Sequence, residues 1–129
     1  MANGVHNAST DALFEAILSL ETKEECYMFF EDLCTIKELN DMAQRLDAAK
    51  MLLDGKTYEQ IVKAVEISTA TISRINRCIQ YGAGGYKATI RKAEGQAQAI
   101  IAVQQANATW GLGEVQNSHV LDRKVRSLV

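Results

Sequence analysis

Arg74 and Arg77 lie in a stretch, Ile67 to Gly85, that contains no acidic residue. On a helix of 3.6 residues per turn, Ile72, Ile75 and Ile79 fall within one narrow arc, and Ala70, Ser73, Arg74 and Arg77 fall opposite. Thr69 and Asn76 flank one edge. An outward face of small hydroxyl and methyl groups followed by guanidinium groups suits the major groove of DNA. Small residues at the amino end let a helix approach base edges, and threonine or alanine methyls can touch thymine methyls. An arginine one or two turns later can take a guanine through paired hydrogen bonds or hold a phosphate. Ser68 stands where a cap belongs, so the free N–H groups behind it and the positive end of the helix dipole can also face a phosphate. The same residues would serve as a solvated basic face on a helical hairpin. The coincidence of a short helix, a tight break and an acid-free second helix in an acidic protein favours DNA.

Other chemistry has less to stand on. Cys26, Cys34 and Cys78 are odd in number and form no C-x-x-C pair, so they are expected to be reduced, buried small hydrophobes. His6 and His119 lie near opposite ends without ligand-spaced partners, which points away from a metal site. The run Gly82-Ala-Gly-Gly85 lacks the lysine and the preceding strand of a phosphate-binding loop. No paired acid and base or nucleophile motif is present, so an enzyme is not expected.

The balance of charge agrees with a local nucleic-acid footprint. The 129 residues carry a net charge of −2, but residues 1–34 hold seven acids against Lys23 alone, while residues 35–92 hold ten bases against six acids. Residues 93–129 hold three of each. At 47% apolar and 23% charged the composition is that of a globular chain, and the length fits one domain with little room for a second. The start, MANGVHNAST, is unlike a signal peptide, and no apolar run approaches the ~20 residues that span a bilayer. A cytoplasmic protein without membrane contact is expected.

The elements that must hold the candidate face are helical throughout. Nothing alternates with period two and there is no proline, so the fold class is all-α. Asp11 is positioned to cap a first short helix with Leu13, Phe14, Ile17 and Leu18 as its stripe. Thr22 and Glu25 have capping-box spacing ahead of Cys26, Phe29, Phe30 and Leu33. Thr35 and Glu38 repeat it ahead of a longer helix with Ile36, Leu39, Ala43 and Leu46 as its stripe, stopped by Gly55. Thr57 and Gln60 open a helix of barely two turns that buries Tyr58, Ile61, Val62 and Val65. A break of about three residues leads to the helix from Thr69 to about Gln80, ended by Gly82, Gly84 and Gly85. A short helix, a tight turn and a helix of about three turns outline a helix-turn-helix over about 57–80. Tyr86 to Ala108 reads as one further helix interrupted by Gly95, and residues 111–129 as a mobile tail. The division is thus a helical domain over 1–92 and a helical or mobile extension over 93–129. The apolar stripes are too many for one small chain to bury, which predicts a homodimer.

A resemblance adds to these readings. The stretch MAQRLDAAKMLLDGKTYEQIVKAVEISTATISRINRCIQYG, with EECYMFFEDLCTIKEL ahead of it, is similar to the tryptophan-repressor-like family of bacterial regulators, of the YerC/YecD type, over about Ala16 to Lys92. The run Ser68 to Arg74 and the segment Leu52–Tyr58 carry the likeness most specifically. It implies an intertwined homodimer that binds double-stranded DNA operators and regulates transcription, as a repressor. Thr69, Ala70 and Ser73 match base-reading positions, and Lys63 matches a position in the preceding helix that approaches DNA. A helical dimer that recognises an acidic protein partner, without sequence-specific DNA binding, is the alternative. Two departures argue against a tryptophan corepressor, so no cofactor is expected. Asp47 stands where one of two ligand-holding arginines would be, Arg74 matching the other, and Ile75 replaces a glycine that leaves room for the ligand's ring. An Asp47–Arg74 interaction, direct or through water, is expected instead. Glu66 occupies a turn position usually held by glycine, so the turn is either strained by a positive φ there or rebuilt.

Overall fold

The computed structural model describes residues 4–109, and among them every regular element is helical. The chain divides at Asp41–Met42 into two compact units. The first contains α1 (Ala8–Leu18), α2 (Lys23–Leu33) and the opening turns of α3 (Ile36–Leu53). The second contains the rest of α3, α4 (Tyr58–Ala64), α5 (Thr69–Tyr81) and α6 (Gly85–Thr109).

Side-chain caps set the helix starts. Asn7, rather than Asp11, caps α1: its Oδ1 accepts the Thr10 N–H at 2.9 Å, and Asp11 becomes the acid of the first turn, favourable to the helix dipole. Both expected boxes of the first unit form. The Glu25 N–H donates to Thr22 Oγ1 (3.1 Å) while the Glu25 carboxylate accepts the N–H groups of Glu21 (2.8 Å) and Thr22 (2.9 Å). The Glu38 N–H donates to Thr35 Oγ1 (3.1 Å) and the Thr35 N–H to Glu38 Oε1 (2.8 Å). These bonds stabilise the ionised acids. The N–H of Glu21, then that of Thr22, holds the Glu25 carboxyl below its ordinary 4.5, and the N–H of Thr35 does the same for Glu38.

The first unit leaves its apolar stripes open. Neither α1 nor α2 has a buried residue; Phe29 and Phe30 meet edge to face at 5.5 Å and are half-buried, while Phe14, Leu18, Tyr27, Met28 and Leu33 are exposed. The expectation of buried cysteines fails in both units. Cys26 is exposed on α2 and Cys34 half-buried at its end, while Cys78 is exposed on α5; all three are free thiols.

The core lies in the second unit. Ala48 and Ala49 of α3, Ile61 of α4 and Val65 at its end, Ile72 and Ile75 of α5, and Ile90 of α6 are buried together, ringed by Leu52, Tyr58, Ile79 and Tyr86. Within this buried set α3 contributes two small side chains, Ala48 and Ala49. The expected α3 stripe of Ile36, Leu39, Ala43 and Leu46 therefore does not form the core, and Ile36 is left 83% exposed. At 100° per residue that stripe and the Ala48–Ala49–Leu52 face occupy opposite sides of α3, which makes it a helix with two apolar faces. Val62 also departs from expectation: Ile61 and Val65 turn inward, and Val62 on the flank is exposed.

The turns are specific to their residues. Gly55, at φ +82°, ends α3 with its N–H donating to the Leu52 carbonyl and that of Lys56 to the Met51 carbonyl, a paired closure that needs the left-handed glycine. Between α4 and α5 the Ile67 N–H donates to the Val65 carbonyl at 2.8 Å. No described residue other than glycine has positive φ, so Glu66 is not strained: a tight inverse turn replaces the left-handed one. Gly82 follows the end of α5, Gly84 turns at φ +86°, and Gly85 belongs to α6 rather than to the stop. α6 runs through Lys92, Ala93 and Gly95 to Thr109 without a break. The tail expected over 111–129 lies outside the described residues.

Candidate nucleic-acid interface

The candidate face is fixed from behind and capped in front. Ile72 and Ile75, at 0% and 2% exposure, lock the rotation of α5 against the core. Burying each side chain stabilises the fold by about 1.5–3 kcal/mol, which is enough to decide which face points out. At the amino end, Ser68 Oγ accepts the Thr71 N–H at 3.2 Å and lies 3.0 Å from Thr71 Oγ1. The unbonded N–H groups of the first turn are thereby held at the surface beside Thr69 and Ala70, both exposed.

The sequence-chosen residues come together in part. Thr69, Ala70, Arg74 and Arg77 are exposed along α5, and Ser68 is exposed at its cap. Ser73, placed outward by the helical wheel, is half-buried, as is Asn76. Both lie on the edge of the arc that rolls toward the core. Lys63 is exposed on α4 but reaches Glu59 at 3.5 Å one turn earlier. That pair is solvated on both sides and weak enough for a phosphate to compete for the lysine.

Arg74 and Arg77 have no ion-pair partner among the described residues. Among the described residues the ion pairs are Lys37–Asp41 and Lys63–Glu59, so the expected direct Asp47–Arg74 contact does not form. Both side chains remain exposed, where water screens the attraction that would draw them together. Ile75 is packed within the core and fills its position. From Ile67 to Ala93 the chain carries Arg74, Arg77, Lys87, Arg91 and Lys92 and no acid. That stretch is therefore locally positive on a chain of net −2.

The wheel also overlooked a residue. Tyr81, the last residue of α5, is 85% exposed and continues the line Ala70, Arg74, Arg77 at i+11, i+7 and i+4. Its signal was legible as an aromatic side chain on the basic arc just before a glycine stop. A shallow apolar cleft nearby is lined by Leu46, Cys78, Gly82–Gly85, Tyr86 and Thr89. No helix among the described residues is long and apolar enough to cross a membrane.

Comparison with known proteins gives concordant results. The Trp repressor protein family matches residues 8–94. The uncharacterized protein YerC of Bacillus subtilis (strain 168) is 54% identical over 77 residues, which is 60% of this chain and 74% of that protein. The crystal structure of a TrpR-like protein from Eubacterium eligens ATCC 27750 superposes with a TM-score of 0.69 at 43% identity, covering 72% of this chain and 96% of that one. A chain from Staphylococcus aureus described as a candidate Trp repressor gives 0.68 at the same identity and coverage. The family match ends within α6, whose last residues, 95–109, extend beyond it.

Proposed function

Because the chain belongs to the Trp repressor family, matched over residues 8–94, we propose that it is a sequence-specific DNA-binding transcriptional regulator acting as a homodimer. The observation that carries this reading is the outward face of α5, where small exposed residues at the capped amino end precede two arginines, without ion-pair partners among the described residues, on a helix locked by Ile72 and Ile75. Thr69 and Ala70, with Ser73 at the edge, would meet base edges, and Arg74, Arg77, Lys63 and the Ser68 end of the helix would meet phosphates or a guanine. Repression would follow from occupying a promoter.

The dimer reading is supported by surface that one chain leaves open. Leu18 and Ile36 are each 83% exposed, and Phe14, Tyr27, Met28 and Leu33 add to them, more apolar area than isolated surface residues account for. A second copy offers the same surface, and a two-fold axis would set two copies of α5 at successive major grooves. No tryptophan corepressor is part of the proposal. Ile75 fills its position in the core, and Asp47 would set an anionic group near a ligand carboxylate.

Selection of bound duplexes from a random pool, with the full chain, tests the reading. A consensus of two half-sites about 10 base pairs apart, related by two-fold symmetry, is expected. Failure to enrich any sequence would refute it and leave a protein-interaction module. Calorimetric titration with L-tryptophan is expected to show no binding at millimolar concentration; binding that also raises DNA affinity would overturn the ligand-free reading.

A further inference from the structure

Tyr81 is the most exposed large apolar side chain among the described residues, at 85%, and no hydrogen bond there engages its hydroxyl. It lies on the line of Ala70, Arg74 and Arg77, one turn beyond Arg77. The chain also keeps its surroundings clear. Gly82, Ala83, Gly84 and Gly85 carry nothing larger than a methyl, so no neighbouring side chain shields the ring up to Tyr86. Gly82 is required where it stands, because a Cβ there would lie 2.5 Å from the Cys78 carbonyl oxygen. The helix can therefore close directly after Tyr81, with the phenol held in its last turn.

We propose that Tyr81 contacts the DNA backbone, its hydroxyl donating a hydrogen bond to a phosphate on the wall of the groove that receives α5. The role rests on the DNA-binding reading given above. The placement favours a phosphate over a base. When the amino end of a helix meets base edges, the later turns draw away from the groove floor, and a long side chain on the flank reaches the strand beside it. The local field favours an anion as well, with five basic residues and no acid between Ile67 and Ala93. A neutral phenol donating to an anionic oxygen makes a charge-assisted bond without displacing a counterion as a lysine or arginine does. Tyr81 should thus add affinity that is independent of both sequence and salt.

The test measures binding of the full chain to its selected duplex and to a scrambled duplex across a salt series, for wild type, Tyr81→Phe, Tyr81→Ala and Arg77→Ala. Tyr81→Phe keeps the ring and removes only the hydroxyl. It is expected to weaken binding to both duplexes equally, by about tenfold or more, with an unchanged slope of log affinity against log salt and unchanged sedimentation. Arg77→Ala, in contrast, should make that slope shallower. Tyr81→Phe binding as wild type does, with or without a loss in Tyr81→Ala, would overturn the proposal. So would a loss confined to one base position, or a loss accompanied by dissociation of the dimer, which would put the ring against the second copy. Wild type binding neither duplex would refute the DNA-binding reading and this role together; wild-type binding with Tyr81→Phe unaffected would remove only the role of Tyr81.

Discussion

Ile36→Ala separates the fold of one chain from the assembly of two. Ile36 is 83% exposed at the start of α3 and belongs to no buried cluster, so truncating it removes almost nothing that one chain holds. If a second copy covers it, nearly all of its burial is gained on association. Full burial of an isoleucine side chain is worth about 1.5–3 kcal/mol, and alanine retains part of that, leaving a loss of about 1–2 kcal/mol per copy. A two-fold interface counts every substitution twice, so the dimer should weaken by about 2–4 kcal/mol, roughly thirty- to a thousandfold in its dissociation constant. Sedimentation equilibrium over a dilution series reads this directly, with circular dichroism at each concentration to follow helix content. The expected wild-type species has twice the chain's 14.2 kDa. A dissociation constant unchanged by Ile36→Ala would refute the assignment of this face, and a wild-type monomer with full helicity at micromolar concentration would refute the dimer.

The remaining predictions concern stability. Ile72→Ala should destabilise the fold by about 2–5 kcal/mol in denaturant unfolding, because the side chain is wholly buried; Val62→Ala, one helix away and exposed, should cost far less. A similar cost for the two would contradict the assignment of the core. Glu25 and Glu38 have folded pKa values below 4.5, so their stabilisation is fully present above that pH and is lost as pH falls through the folded values. Helicity followed by circular dichroism should fall on acidification below about pH 4.5, and Glu25→Gln with Glu38→Gln should flatten the transition, since a neutral amide accepts the same N–H groups without titrating. A transition unchanged by both substitutions would show that other groups control it.

What was legible in the sequence was what neighbouring residues decide. A capping box is closed by residues three apart, and Thr22–Glu25, Thr35–Glu38 and Thr57–Gln60 all form as their spacing indicates. The stop at Gly55 and the start at Ser68 are equally local. Competition between neighbouring candidates was harder to resolve. Asn7 and Asp11 can both cap a helix, and Asn7 prevails because it adds a turn at whose N3 position the Thr10 N–H reaches its side chain. At the α4–α5 turn the residue type permits two outcomes: Glu66 brings strain only if its backbone is left-handed, and the rebuilt turn prevails, closed by the Val65–Ile67 bond at a φ open to any residue.

Which apolar face is buried was not legible, because periodicity identifies a stripe without identifying what covers it. On α3 the more conspicuous stripe of Ile36, Leu39, Ala43 and Leu46 lost to a pair of alanines, whose small size carries little hydropathy signal although both are wholly buried. The candidate interface shows the same division. The exposure of Thr69, Ala70, Arg74 and Arg77 was legible because the opposing isoleucines fix the rotation of the helix, and that opposition is written within one helix. The direct Asp47–Arg74 contact does not form because it depends on where two separate helices aim long or charged side chains, and exposed charges gain too little from meeting to dictate that aim. An isoleucine at position 75 acts differently. It is held by dispersion contacts and by the exclusion of water, neither of which depends on an outside ligand or on salt. The orientation of α5 is consequently a property of the folded chain itself, and under the proposed function the surface presented to DNA would be set whenever the second unit is folded.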